Sequence, residues 1–224
     1  MPVFGGNTEN TNESKGGDDS KVDLSKTDII TEKAVAVNPE KATGFCQSKA
    51  MLLNLVLMTV FWSTSSLNYF IITFYLKYIP GNIYTNTSLA CIAEIIAYVV
   101  IGFIMDKFGV KLSFIISYTL AATGGIFLVI FYNADGYLIG VFVLFAKFGI
   151  SVAYQCCYLA TPQMFPTVLT STAFGIANLF SQAITMSAPL IAELDAPIPM
   201  SIFSITCIAS AFFPICLRKV KKEI

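Results

Sequence analysis

Two ionisable side chains, Glu94 and Lys147, sit inside long apolar stretches where a charge costs a few kcal/mol, on the order of 3 on insertion scales. Such a residue persists only when it is paired or faces an aqueous cavity. Each lies about eight to ten positions from the same end of its stretch, roughly 12 to 15 Å deep at ~1.5 Å per residue. The two can therefore meet at one level, either as an ion pair that locks two helices or as a cavity-lining charge that meets a solute or protons.

Around Lys147 the chain places Ser151, Tyr154, Gln155 and Tyr158 on one helical face. A later stretch repeats the pattern with Ser171, Gly175, Asn178, Ser181, Gln182 and Thr185, and an earlier one offers Thr64, Ser65, Asn68 and Tyr75 more loosely. A single stripe of this kind can be glue between helices, since small and hydroxyl residues allow close approach and hydrogen bonds. Stripes on at least two stretches favour a shared wet cleft. Trp62 reads as packing. The cysteines, with the neighbours Cys156 and Cys157 about 100° apart on a helix, read as small buried apolar residues rather than metal ligands.

The elements that must hold these groups are membrane spans. Of 224 residues 55% are hydrophobic, and residues 45 to 217 contain only ten of the charged side chains. That pattern excludes an ordinary soluble domain. The absence of histidine removes the usual general base and metal ligand, so an enzyme is not expected, nor is a cofactor. Zero net charge speaks against a nucleic-acid partner. Six apolar stretches reach spanning length: Met51 to Tyr78, Asn86 to Met105, Leu112 to Tyr132, Tyr137 to Ala160, Thr167 to Ile191 and Met200 to Leu217. The expected organisation is an all-α membrane protein, with a disordered hydrophilic tail over 1–44, a six-span domain over 45–217 and a basic tail over 218–224.

Basic residues flank one set of span ends: Lys49, Lys107, Lys111, Arg218, Lys219, Lys221 and Lys222, against Lys77 alone on the other. Retention of basic flanks predicts both termini inside. The membrane is the plasma membrane or that of an organelle, the mitochondrial inner membrane included. The Asn86-Thr87-Ser88 sequon then falls outside, close to the bilayer.

Gly102-Phe-Ile-Met-Asp106-Lys107-Phe-Gly109-Val110-Lys111, the first of four motifs, resembles the short inward loop of the major facilitator superfamily. Ala93-Glu94-Ile95 with Ala97-Tyr98, Lys147-Phe148-Gly149-Ile150 with Ala153-Tyr154, and Met164-Phe165-Pro166-Thr167-Val168-Leu169 look like the organic cation/anion transporter branch. The resemblance covers residues 48 to 217 and corresponds to the second half of a twelve-span transporter.

It implies two inverted three-helix repeats, with the first, second, fourth and fifth spans facing a central pathway. It also implies a gating loop of Gly102, Asp106, Lys107, Gly109 and Lys111, working with the turn at Pro166. In the family an inner-loop aspartate is latched by a glutamate and an arginine. Here Gln163 and Thr170 stand at those two positions, and Val110 replaces a loop arginine. Positions that are charged in cation or anion carriers are Gln155 and Gln182, which leaves Lys147 as the charged site residue. Lys147, Glu94, Asn178, Gln182, Gln155, Tyr154 and Asn68 are the expected solute-binding set, suited to a small anionic or neutral solute.

Two functions follow as expectations. One is transport by a half-transporter that needs a second copy or a complementary six-span half, with membrane lipid around it. The other is a non-transporting accessory subunit of a large membrane complex.

Overall fold

The structure is a computed structural model that describes residues 49–79, 82–131 and 136–217. The expected tails over 1–44 and 218–224, and Cys46, lie outside the described residues. All regular structure among the described residues is helical, and those residues belong to one compact unit, Thr43–Ile224.

Helix α1 runs Lys49–Tyr75, free of Pro and Gly throughout, and tightens into a 3-10 turn over Leu76–Tyr78. It ends where Ile79 turns extended (ψ 128°), the conformation that a following proline imposes. Asn82 then caps α2, its side chain accepting from the Tyr84 N–H at 2.9 Å. Helix α2 spans Ile83–Ile130, 48 residues, with one non-helical residue inside it: Gly109, at φ 73° and ψ 173°. This backbone region is essentially glycine's alone. No atom lies within 4 Å of where a Gly109 Cβ would stand, so the demand for glycine is conformational and not steric.

The expected loop over Asp106–Gly109 is thus helical up to a single hinge residue. Among the described residues five helical segments, rather than six, are long and apolar enough to cross a membrane, because α2 joins two expected spans. Its two arms, before and after Gly109, nevertheless reach one level of α3. Glu94 contacts Lys147, while Gly149 abuts the Ala121 backbone. In a straight helix residues 94 and 121 would stand about 40 Å apart. The arms must therefore fold back beside one another at Gly109.

Helix α3 (Gly136–Met164) continues through Pro162, where a break was expected, and stops before Pro166. Helix α4 (Thr167–Thr185) and the short α5 (Ala188–Ala192) divide the stretch expected as one span to Ile191. Helix α6 (Ile198–Phe212) ends in a 3-10 turn over Phe213–Cys216.

Small residues set the closest approaches. A Cβ on Gly149 would meet the Ala121 nitrogen at 2.5 Å, and one on Gly124 would meet Ala146 Cα at 2.7 Å. The second arm of α2 and α3 pack backbone to backbone there, as helices in lipid do when dispersion and not water expulsion drives association. Cys156, Cys157 and Cys207 are buried as small core residues, whereas Cys91 and Cys216 are exposed.

Candidate functional site

Lys147 is buried to 1% of its surface near the middle of α3. Its Nζ lies 2.7 Å from Glu94 Oε1 on the first arm of α2 and donates to Thr73 Oγ1 at 2.6 Å on α1. The ammonium also stands 3.4 Å from the centroid of the Tyr69 ring, a cation–π contact. Its three donors thus meet a carboxylate, a hydroxyl and a ring face. Thr73 is oriented for this role by donating to the Tyr69 carbonyl at 2.6 Å. Removing two charges from water costs several kcal/mol per ion, which good geometry and further hydrogen bonds must offset. Three helices converge on one cation to do so.

From Tyr69 a run of rings leads away. Tyr69 stacks on Tyr154 (centroids 5.3 Å, 21° between planes), and Tyr154 meets Trp62 edge-on at 5.9 Å. Tyr158 and Phe174 approach Trp62 edge-on at 4.5 Å and 5.0 Å. Trp62 itself is fully buried, with Nε1 donating to Thr161 Oγ1 at 3.3 Å, so it ties α1 to α3 and α4. The rings form a continuous run from the ion pair to Phe174 on α4.

The polar stripes divide by function. On α1, Ser65 meets the Tyr118 hydroxyl at 2.8 Å, Ser210 donates to Thr64 at 3.0 Å, and Thr185 donates to Ser66 at 2.8 Å. Asn68 is fully buried and exchanges hydrogen bonds with Thr206 of α6 at 2.8 and 3.0 Å. These α1 residues join helices. On α4, Ser181 and Thr185 do likewise, Ser181 donating to the Trp62 carbonyl at 3.0 Å. Ser171, Gly175 and Gln182 are exposed and Asn178 is half-buried, with Gln182 Nε2 donating to Asn178 Oδ1 at 3.3 Å. Tyr154 and Gln155 are half-buried, and the Tyr154 hydroxyl lies 3.5 Å from that of Tyr158.

The structure therefore gathers Lys147, Glu94 and Tyr154 about one cluster, gives Asn178 and Gln182 to each other, and commits Asn68 to the α1–α6 contact. Tyr69 and Thr73 complete the cluster and were missing from the sequence reading. Their signal was an i, i+4 pair on α1 at the depth of Lys147, hidden because α1 carries hydroxyls on several faces.

In the expected gating segment, Gly102 is helical and Asp106 is exposed without an ion pair among the described residues. Lys107 lies 5.7 Å from the centroid of the Phe108 ring, and Lys111 Nζ reaches the Ile215 carbonyl at 3.5 Å. Gln163 donates to Met105 Sδ at 3.2 Å, and Thr170 folds back on the Pro166 carbonyl at 2.9 Å. At the opposite end, Lys77 and Glu193 pair at 2.7 Å in the open, and Lys77 holds the Glu193 carboxyl below its usual range.

Membrane helices around a buried, three-helix-bound lysine accord with the motifs quoted above, and comparison with known proteins settles the family. The profile of the Major Facilitator Superfamily matches residues 18–223. The chain belongs to that superfamily. It is an integral membrane, multi-pass protein of a transporter family and not of an enzyme family.

A protein of Caenorhabditis elegans described as a putative transporter is 28% identical over 180 residues, 79% of this chain and 36% of the relative. Solute carrier family 22 member 21 of Mus musculus is 26% identical over 71% of this chain and 29% of its own length. The organic cation/carnitine transporter 2 of Rattus norvegicus is 26% identical over 71% of this chain and 30% of its own length. The latter two are relatives in the organic cation/anion transporter branch. The chain spans about a third of the length of the relatives it matches.

Proposed function

We propose that this chain forms one six-span half of a transporter for a small organic solute, anionic or neutral in preference to cationic. It works against a second half, supplied by another copy or by a complementary six-span partner. The observation that carries this reading is the unequal burial of the central pair: the Lys147 side chain is 2% exposed and that of Glu94 is 17%. The carboxylate is the member on the open side. A solute anion approaching from that side can take the place of Glu94 on a cation whose other two partners, Thr73 and Tyr69, are already fixed. Tyr154, Gln155, Asn178 and Gln182 then offer rings and amides beside it.

Six crossings in two exchanged repeats are supported by the contact pattern. The three helical units before α3 are α1 and the two arms of α2; the three after residue 136 are α3, α4 and α6. α1 contacts α4 through Trp62 and Ser66, and α6 through Thr64 and Asn68. α3 contacts the two arms of α2 through Lys147 and Gly149. The first helix of each triplet thus packs on the second and third of the other, the relation that an inverted repeat predicts. With basic residues flanking one set of ends, both termini lie inside, in the plasma membrane or an organellar one.

A second reading, a non-transporting accessory subunit of a large membrane complex, is favoured by one observation. Among the described residues no ion pair engages Asp106, Gln163 donates to Met105 and Thr170 to the Pro166 carbonyl, which departs from the charge latch of the family.

Uptake into proteoliposomes holding the full chain, with radiolabelled benzoate as probe anion, tests the first reading. Saturable uptake that Lys147→Met abolishes and Lys147→Arg retains in part supports it. Uptake that is absent, or indifferent to Lys147, while the chain migrates only within a larger complex, supports the second.

A further inference from the structure

The ammonium of Lys147 has one place for an anion. Thr73 Oγ1 at 2.6 Å and the Tyr69 ring at 3.4 Å hold two of its sides, and Glu94 Oε1 at 2.7 Å holds the third. Because the lysine side chain is only 2% exposed, an incoming anion reaches it only where Glu94 lies, and only as that carboxylate moves out. On the transport reading above, the exchange therefore leaves Glu94 without its cation.

Among the described residues no second cation is free to receive it. The ionisable groups about Glu94 are Lys147 of α3, Tyr69 of α1, and Tyr98 and Cys91 of its own arm, with Tyr154 and Tyr158 of α3 beyond them. Lys77, a turn beyond Thr73 on α1, is already paired with Glu193 at 2.7 Å. Lys107 and Lys111 flank Gly109, about 20 Å or more along the arm at ~1.5 Å per residue. Phenols and a thiol can share hydrogen bonds with a carboxylate, but they do not balance its charge. A carboxylate within a span that has lost its partner either finds another or gives up the charge by taking a proton.

We propose that each solute anion binds together with one proton, which Glu94 takes as it leaves Lys147. In the empty site the ammonium and the carboxylate sum to zero. The anion arrives with a proton that hydronium releases at the open side, water being left behind, and the only bond formed is the O–H of the Glu94 carboxyl. In the loaded site the ammonium pairs with the anion, Glu94 is a neutral acid, and the sum is again zero. Crossing in that state is electroneutral anion–proton symport. The 17% of the Glu94 side chain that stays open is where the proton enters. This rests on the solute reading and adds its coupling ion. Since the loaded form holds one proton more than the empty one, affinity rises as pH falls, about tenfold per pH unit wherever Glu94 is ionised empty and protonated loaded.

The test is titration calorimetry of benzoate into the full chain in nanodiscs at near-neutral pH, where benzoate is ionised, with empty nanodiscs as the blank. Run in phosphate and in Tris, whose ionisation heats differ, it counts the protons taken up from the buffer. One proton per benzoate is the expected count. A count of zero, above all with binding that requires sodium instead, overturns the coupling and leaves the solute reading standing. Absence of binding heat in both buffers overturns the two together.

Glu94→Gln, whose amide takes no proton, should bring the count to zero and make benzoate affinity independent of pH. A count that stays at one in that variant assigns the proton to another group and overturns the proposal. If Glu94→Gln does not fold, proteoliposomes of the parent chain with trapped pyranine decide, using benzenesulfonate, which stays ionised and does not cross lipid as a neutral acid. Acidification of the lumen with benzenesulfonate uptake, unchanged when valinomycin and potassium clamp the potential, is expected. Uptake without acidification overturns it.

Discussion

Lys147 Nζ and Glu94 Oε1 are 2.7 Å apart, yet the lysine is enclosed by three helices while the glutamate keeps 17% of its side chain open. Breaking a buried pair from one side leaves an uncompensated charge, which costs on the order of 3–5 kcal/mol. Lys147→Met alone should therefore lower the melting temperature sharply. Lys147→Met with Glu94→Gln should recover most of the loss, because neither partner is then charged. A double variant no more stable than the single would mean that the pair does not stand alone.

Gly109 carries the reversal between the two arms of α2 in a backbone region closed to side chains. Gly109→Ala should destabilise the chain by about 1–3 kcal/mol, measured by thermal unfolding in detergent. Gly102→Ala, at a helical position with nothing within 4 Å, should be neutral or slightly stabilising.

The backbone contact at Gly149 predicts another asymmetry. Gly149→Ala puts a methyl 2.5 Å from the Ala121 nitrogen, and overpacking of this kind costs about 1–3 kcal/mol. Gly175→Ala on α4 meets nothing within 4 Å and should leave stability unchanged or raised. Comparing the two melting curves checks whether α3 and the second arm of α2 are as close as stated.

Asn68 separates helix joining from solute contact. It was expected to orient a solute, but its amide is engaged at both ends by Thr206. Asn68→Ala should cost about 1–3 kcal/mol in stability, since Thr206 loses its buried partner. Ligand-induced stabilisation by benzoate should stay at the parental value in that variant, whereas it should vanish in Lys147→Met. Equal loss in both would return Asn68 to the binding set.

Much of this was legible in the sequence, for identifiable reasons. The spans follow from hydropathy and length, and the meeting of Glu94 with Lys147 follows from equal depth, because a charge in lipid must find a partner. The turn at Gly109 was read as a loop because Asp106, Lys107 and Gly109 are polar or permissive, yet one residue of unusual backbone suffices. The roles of Gly124 and Gly149 were hidden because a helical glycine gives no sign of which neighbour approaches it. Tyr69 and Thr73 were passed over because α1 carries hydroxyls towards several neighbours at once, and only packing tells which of them face the lysine.

On the transport reading proposed above, the polar face containing Gln182 borders a watery or protein-lined cleft and not acyl chains. Gln182→Cys in native membranes, treated in parallel with a water-soluble maleimide and a lipid-phase carbene reagent, tests it most directly. Modification by the maleimide, slowed when benzoate is present, is the predicted result. Labelling by the carbene reagent alone, with no reaction towards maleimide, would contradict the account.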